Sequence, residues 1–296
     1  MTEGPGPVLV TGTSSGIGRR IVETLSEQGH AVFAAVRKEA DQAPLAALPN
    51  VTPILLDVTH DDSVRASARM VREAGRGLYG LVNNAGTVDL APLLDTSIED
   101  LSRLLDVNVY GMHRMVRACF PLLRQAHGRI VNIGSINGVY PDIFEGSYCM
   151  SKYAVEAYTD VLREEFAPLG IGVSVVEPGG FRSNIVSSFF ERKKGHTAAA
   201  SVSSPMREAT QKFFSETFSV PGELDRSRYP DSRPVAEAVV DALFSQTPKT
   251  RYLVGSTGET SAAIDQVIRL LVQLNERHNH SLTADELVAR LRAALQ

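Results

Sequence analysis

Short apolar runs alternate with amphipathic stretches from the first residues onward, and this constrains the fold of the chain more than any other feature. "PVLVTG", "HAVFAAV", "VTPILLDV", "LYGLVNNAG", "GRIVNIGS" and "GVSVVEPG" read as six strands rich in β-branched and aliphatic residues. Between the first two, Gly16 to Gly29 carries helical spacing through Ile17, Ile21, Val22 and Leu25. The spacing predicts further helices from about Asp61 to Ala74, from about Ile98 to Leu123 as one long element, and from Ser147 to about Leu169. Such alternation implies an α/β fold with a parallel sheet covered on both faces. Right-handed crossovers make it doubly wound, a Rossmann-type sheet of about seven strands. Ligands on such sheets bind beyond the carboxyl ends of the strands, so site residues are expected at those ends.

The pattern changes after Pro178. Residues 182–234 are rich in Ser, charge and isolated Phe, and they are expected to form a helical substrate lid inside a single domain spanning 1–296. Regular structure resumes with a helix near Pro234 to Phe244 and a strand at "RYLVG". A helical C-terminal extension is expected over 258–296, where Thr283 and Glu286 fit a capping box. Net charge is −4 with no concentrated basic segment, which argues against nucleic acid as a partner. No apolar run approaches the ~20 residues of a membrane span. The opening "MTEGPGPVLVTG" has no basic segment leading into an apolar one, so a cytoplasmic chain is expected. Two cysteines, Cys119 and Cys149, lie in apolar helical patterns and read as buried free thiols. The seven histidines show no metal spacing, and no metal is expected.

"VLVTGTSSGIG" sets Gly12, Gly16 and Gly18 between a strand and a helix, in the spacing G-x-x-x-G-x-G. Glycines there let the backbone turn tightly and approach a pyrophosphate seated on the helix N-terminus. Gly12, Thr13, Ser14, Ser15, Gly16, Ile17 and Gly18 are therefore candidate cofactor contacts. The alternative is a tight strand–helix turn with no ligand. The second strand ends "AAVRKEAD", with Val36 where an NAD site usually places an acid, followed by Arg37 and Lys38. A guanidinium pairs well with a 2′-phosphate, so NADP(H) is favoured over NAD(H); Glu39 and Asp41 pull slightly the other way. Asp57, with Val58 beside it, ends the third strand and could accept from an adenine amine, or cap a helix.

Thr11 to Gly18 as TGxxxGxG, "NNAG" at Asn83 to Gly86, Asn108 in "DVNVYG", Ser135, Tyr148-x-x-x-Lys152 and Pro178-Gly179 occur in this order. In that order they resemble the short-chain dehydrogenase/reductase family, closely from Val8 to Ser183. "YCMSKYAVEAYTDVLREEF" and "SVVEPGGFRSNI" resemble its retinol and 17β-hydroxysteroid dehydrogenase branch. The resemblance implies a nicotinamide cofactor and alcohol/ketone interconversion. It implies a catalytic set of Asn108, Ser135, Tyr148 and Lys152, with Asn108 holding a water in a proton relay and Lys152 also holding the nicotinamide ribose. It places Asn84, Ala85 and Gly86 near the adenosine ribose, and Pro178, Gly179, Phe181 and Ser183 against the nicotinamide. It also implies a homodimer or homotetramer paired through the long helices after strands four and five.

The residues support this chemistry directly. A free tyrosine, with pKa about 10, is a poor base at neutral pH. Tyr148 and Lys152, at i and i+4, share a helix face. A cation about 4 Å away contributes roughly 4 kcal/mol to the phenolate at an effective dielectric of 20. That is about 3 pKa units, less desolvation, and the phenol is expected to be poised near neutrality. Ser135 could donate to the substrate oxygen. Each residue alone has a plainer reading: Ser135 as a cap, Tyr148 and Lys152 as packing, Asn108 as a local hydrogen-bonder. Substrate selection is expected from Ser135, Asn137, Tyr140, Phe144 and Phe189, with Phe190, Phe213, Phe214 and Phe218 as further lid aromatics. Such a pocket suits a bulky apolar ketone, although Asp142 and Glu145 could recognise a polar group. An NAD-linked sugar or cyclitol dehydrogenase, and a nucleotide-sensing regulator without catalysis, are the competing readings.

Overall fold

A computed structural model describes residues 6–193, 206–217, 229–276 and 281–295. Seven parallel strands form one sheet: β1 (Val8–Thr11), β2 (Val32–Val36), β3 (Val51–Leu55), β4 (Gly80–Asn83), β5 (Arg129–Ile133), β6 (Gly172–Pro178) and β7 (Arg251–Val254). Their order is β3-β2-β1-β4-β5-β6-β7, so the winding reverses between β1 and β4. This is the doubly wound Rossmann-type fold. Pro53 is tolerated because β3 lies at the edge of the sheet.

Alternation along β1 shows how the sheet acquires two cores. Val8 and Val10 point into one, with α1 (Gly16–Glu27) and α9 (Arg233–Phe244) packed over them. Leu9 points into the other, beneath α3 (Asp61–Glu73), α5 (Gly111–Ala126) and α6 (Gly146–Phe166). A two-residue period in the strand thus serves both layers, which is why the strands read as unbroken apolar runs. The short α2 (Ala43–Ala46) adds Leu45 to the first core.

The single long helix expected over Ile98 to Leu123 is instead three segments. α4 (Ile98–Leu105) passes into a π-helical turn, Asp106–Tyr110, before α5 begins. The apolar periodicity runs through the turn and conceals it. A side chain at Gly111 would strike Val58, so α5 approaches the end of β3 closely there. The turn holds Asn108 buried inside.

The excursion after β6 contains α7 (Ile185–Lys193) and α8 (Arg207–Thr217). Phe218 lies outside the described residues, as does the side chain of Phe214. The C-terminal part holds α10 (Thr257–Asn275) and α11 (Ala284–Ala294), each opened by a capping box, Ser256 with Glu259 and Thr283 with Glu286. Among the described residues no helix is long and apolar enough to cross a membrane. Cys119 and Cys149 are buried free thiols.

Candidate active site

The turn after β1 is built by backbone necessity. Gly12 has φ +69°, and a side chain there would come within 2.8 Å of Ala85 Cα. Gly18 faces the same crowding from Asn84 and the Gly12 carbonyl, so α1 can sit down on the turn only without a Cβ. Thr11 ties this turn to the end of β4: its Oγ1 accepts from the backbone N–H of Asn84 at 3.0 Å and of Ala85 at 2.9 Å. Asn84 returns the bond, donating to Thr11 O at 2.8 Å and Gly12 O at 3.0 Å. Thr13 is buried and donates to Ala35 O at 3.0 Å. Ser14 is exposed, Ser15 is the N-cap of α1, and Ile17 packs on the first core.

Other expected cofactor positions surround this turn. Arg37 and Lys38 are exposed just beyond β2, after a buried Val36. Asp57 accepts from Thr59 N at 2.9 Å and Thr59 Oγ1 at 2.7 Å. Those bonds, His60 and Arg37 hold its carboxyl below the usual range against burial, the largest single influence. Val58 beside it is buried against Gly111. At the other end, Ser183 lies against Gly16, and Phe181 packs on the first core. A small cleft of about 310 Å³ opens there between Ser15, Gly16, Arg20, Arg182, Ser183 and Asp231. Pro178 ends β6 and Gly179 follows it, and Glu259 of α10 accepts from the Gly180 N–H at 2.6 Å. Sequence reasoning missed Thr11 and Glu259 as builders of these turns; the capping-box spacing of Ser256 and Glu259 was the available signal for the second.

The four expected reacting residues converge beyond β5. Ser135 follows the strand; its Oγ accepts from Asn137 N at 3.1 Å and lies 3.3 Å from Asn137 Oδ1. The same hydroxyl lies 3.5 Å from the Pro178 carbonyl oxygen and is close enough to Tyr148 to favour its ionised form. Lys152 is buried, its Nζ donating to Ile133 O at 2.8 Å and standing 5.6 Å from the centre of the Tyr148 ring. Asn108 is fully engaged: Oδ1 accepts from Thr87 N at 2.8 Å, and Nδ2 donates to Thr87 O and to Ser151 Oγ, both at 2.9 Å.

The electrostatics differ from expectation in one respect. Tyr148 keeps part of its surface open, yet burial pushes its phenol up rather than toward neutrality, with the Ser135 hydroxyl as the opposing influence and Glu145 adding to the rise. The ammonium is not among the groups that offset this rise; its Nζ is turned to the Ile133 carbonyl. Lys152 itself is brought down to about 8 by burial, against the charge of Glu156. Glu145 is raised to about 7 by burial and by Asp142. Desolvation therefore dominates all three groups.

The expected substrate residues divide. Phe144, at φ +62°, meets Phe213 in a tilted ring contact with ring centres 4.9 Å apart. Phe189 is fully buried with Val88 and Leu90, in a cluster that Tyr148, Ile185, Val186, Phe190 and Phe213 join. Tyr140 is half-buried, and Ile143 faces solvent. Phe189, Phe190 and Phe213 of the excursion thus share one apolar cluster with Tyr148.

A family model described as short chain dehydrogenase matches residues 7–194. The chain belongs to that family. It is 36% identical over 255 residues to retinol dehydrogenase 7 of Mus musculus, covering 84% of this chain and 80% of that protein. It is 34% identical to human 17-beta-hydroxysteroid dehydrogenase type 6, with the same coverage. Among solved structures, a short-chain dehydrogenase from Streptomyces avermitilis superposes with a TM-score of 0.77 at 26% identity, covering 93% of this chain and 96% of that one. The short-chain dehydrogenase resemblance read from the motifs is thus borne out, in the retinol and hydroxysteroid branch. The chain is an oxidoreductase of alcohol and carbonyl groups.

Proposed function

We propose that the chain is an NADP(H)-dependent oxidoreductase that interconverts a bulky, hydrophobic secondary alcohol and its ketone. One observation carries this reading: Ser135, Tyr148 and Lys152 meet beyond the sheet's carboxyl edge, with Tyr148 in one apolar cluster with the excursion's aromatics. The residues present fit a nicotinamide dinucleotide. The glycine turn leaves its backbone open at Gly12 and Gly16, both with positive φ, at the N-terminus of α1. Arg37 and Lys38 stand exposed where a 2′-phosphate would be recognised, and the glycine turn is flanked by Ala85 beside Gly12 and Ser183 beside Gly16. A bound nicotinamide would supply or accept the hydride.

The chain's own groups handle the oxygen and its proton. In reduction, Ser135 donates a hydrogen bond to the substrate oxygen as negative charge develops there. Tyr148 gives its phenolic proton to that oxygen, and in oxidation takes it back. The phenol's raised pKa favours the protonated form that reduction needs. Lys152 offsets the phenolate left behind. With the Asn108 side chain committed to Thr87 and Ser151, any water it holds is held by its backbone carbonyl. The relatives named above act, by their names, on retinol and a hydroxysteroid, and the apolar cluster around Tyr148 suits a substrate of that bulk. A homodimer or homotetramer paired across α5 and α6 would cover Tyr110, Met150, Tyr153 and Val161, all exposed in the single chain.

The test is NADPH oxidation across ketones graded by size and polarity. Bulky apolar ketones should exceed small polar ones in kcat/KM by about ten-fold or more. Preferred oxidation of sugars with NAD, or tight NADPH binding without consumption by any ketone, would replace this reading with a competing one.

A further inference from the structure

Three carboxyl groups converge on Arg251, the first residue of β7. Its Nη1 binds Glu156 of α6 and, at 3.0 Å, Oε1 of Glu177 on β6; its Nη2 donates to Asp160 Oδ2 at 2.8 Å. Asp160 is half exposed and also holds Arg163 at 2.9 Å, so water and a second cation share its charge. Glu156 and Glu177 have no such relief: their side chains are 8% and 4% exposed. Both carboxyl groups rest on the same nitrogen, Arg251 Nη1, so two acceptors crowd one donor, and only a proton on one of them lets it donate to the other. With both ionised, Oε1 of Glu156 is a buried acceptor that meets no donor. Burial first, and Glu156 second, hold Glu177 up to about 7, while Arg251 opposes. Burial moves Glu156 the same way, against Arg251 and Lys152.

This pair lies directly under the reacting groups. Tyr148, Lys152 and Glu156 succeed one another at i, i+4 and i+8 on α6. A side chain at Gly134 would come 2.6 Å from Glu156 Oε1, and one at Gly138 would come 2.9 Å from it. The Glu156 carboxyl therefore forms the floor of the loop that carries Ser135. The charged groups facing the pair are Lys152, Asp160 and Arg163 from α6 and Arg251 from β7.

We propose that Glu156 and Glu177 share a single proton at neutral pH, and that Glu156 is a positioning residue whose negative charge keeps Lys152 an ammonium beside Tyr148. The second half rests on the function proposed above; the first half does not. Removing the charge of Glu156 lets Lys152 lose its proton at lower pH. Removing Glu177 leaves Glu156 ionised on Arg251 and holds the Lys152 proton to higher pH. Opposite displacements are the signature, because damage to packing alone would move both variants in one direction.

The experiment measures kcat for ketone reduction against pH, at saturating NADPH, in wild type, Glu156→Gln and Glu177→Gln. The alkaline limb is expected to fall by about one pH unit in the first variant and to rise by a few tenths in the second. Limbs that stay put, or move the same way, overturn the role given to Glu156. Infrared difference spectra at about pH 6, wild type minus each variant, supply the second readout. A protonated-carboxyl C=O band is expected in both differences, and its absence overturns the shared proton. If no ketone is reduced at all, the proposed function fails while the infrared result still decides the proton. Should Glu156→Gln not fold, Glu177→Gln decides alone: an unmoved or lowered limb contradicts the proposal.

Discussion

The turn around Gly12 and the C-terminal helices are built by opposite rules. In the turn, nearly every residue has a steric or hydrogen-bonding reason to be what it is. Gly12 must take positive φ, Gly18 must lack a side chain, and Thr11 must offer an oxygen to two backbone N–H groups. In α10 and α11, by contrast, local helix rules are met and tertiary ones are not. Both capping boxes are complete, yet Ala263 is the one buried residue of α10 and no residue of α11 is buried. Ile264, Val267, Ile268, Leu271 and Leu274 remain exposed. The turn after β1 is fixed by backbone geometry, whereas the C-terminal helices stand largely on their own hydrogen bonds. Glu259 is the exception, reaching from α10 to the Gly180 turn.

Substitutions can break or sharpen this contrast. The largest effect outside the reacting groups is expected at Gly12→Ala, where positive φ and the Ala85 backbone both oppose a methyl group. A cost of about 1–3 kcal/mol is expected. Chemical denaturation should show it, together with a loss of NADPH affinity; unchanged stability would mean that the turn is not sterically fixed. Next comes Arg37→Ala, expected to lower the NADPH:NADH affinity ratio about ten-fold, as loss of a charge-assisted hydrogen bond would. Parallel titrations with the two cofactors measure it, and an unmoved ratio removes Arg37 from cofactor selection. The smallest effect is expected at Leu291→Ser on α11, where Leu291 is 57% exposed. Stability should change by no more than about 0.5 kcal/mol. A larger loss in thermal denaturation, together with a change in oligomeric state, would show that another surface covers this helix.

How far the fold could be read follows the same division. Strands buried on both faces announce themselves as apolar runs, so the sheet and most of its helices were legible. The break at Asp106–Tyr110 was not, because Val107 and Met112 keep the apolar period while the π turn answers to Val58 and Thr87, residues distant in sequence. Ser135, Tyr148 and Lys152 were legible as a set through their order, and the chain does bring them together. The titration of Tyr148 and Lys152 was not, since it depends first on burial and then on Ser135, Glu145 and Glu156, which the fold brings to them. The Glu156–Glu177–Arg251 cluster was hidden by sequence separation. Glu156 reads as a polar helix position unless one notes that it shares a face with buried Lys152.

Conversion of Tyr148 to Phe tests the assignment of the proton donor most directly, with turnover and NADPH affinity measured on the same preparation. Turnover should fall by about 10²–10⁴-fold or more while NADPH affinity stays within a few fold of wild type. Turnover retained near the wild-type rate, with the cofactor still bound, would contradict the account.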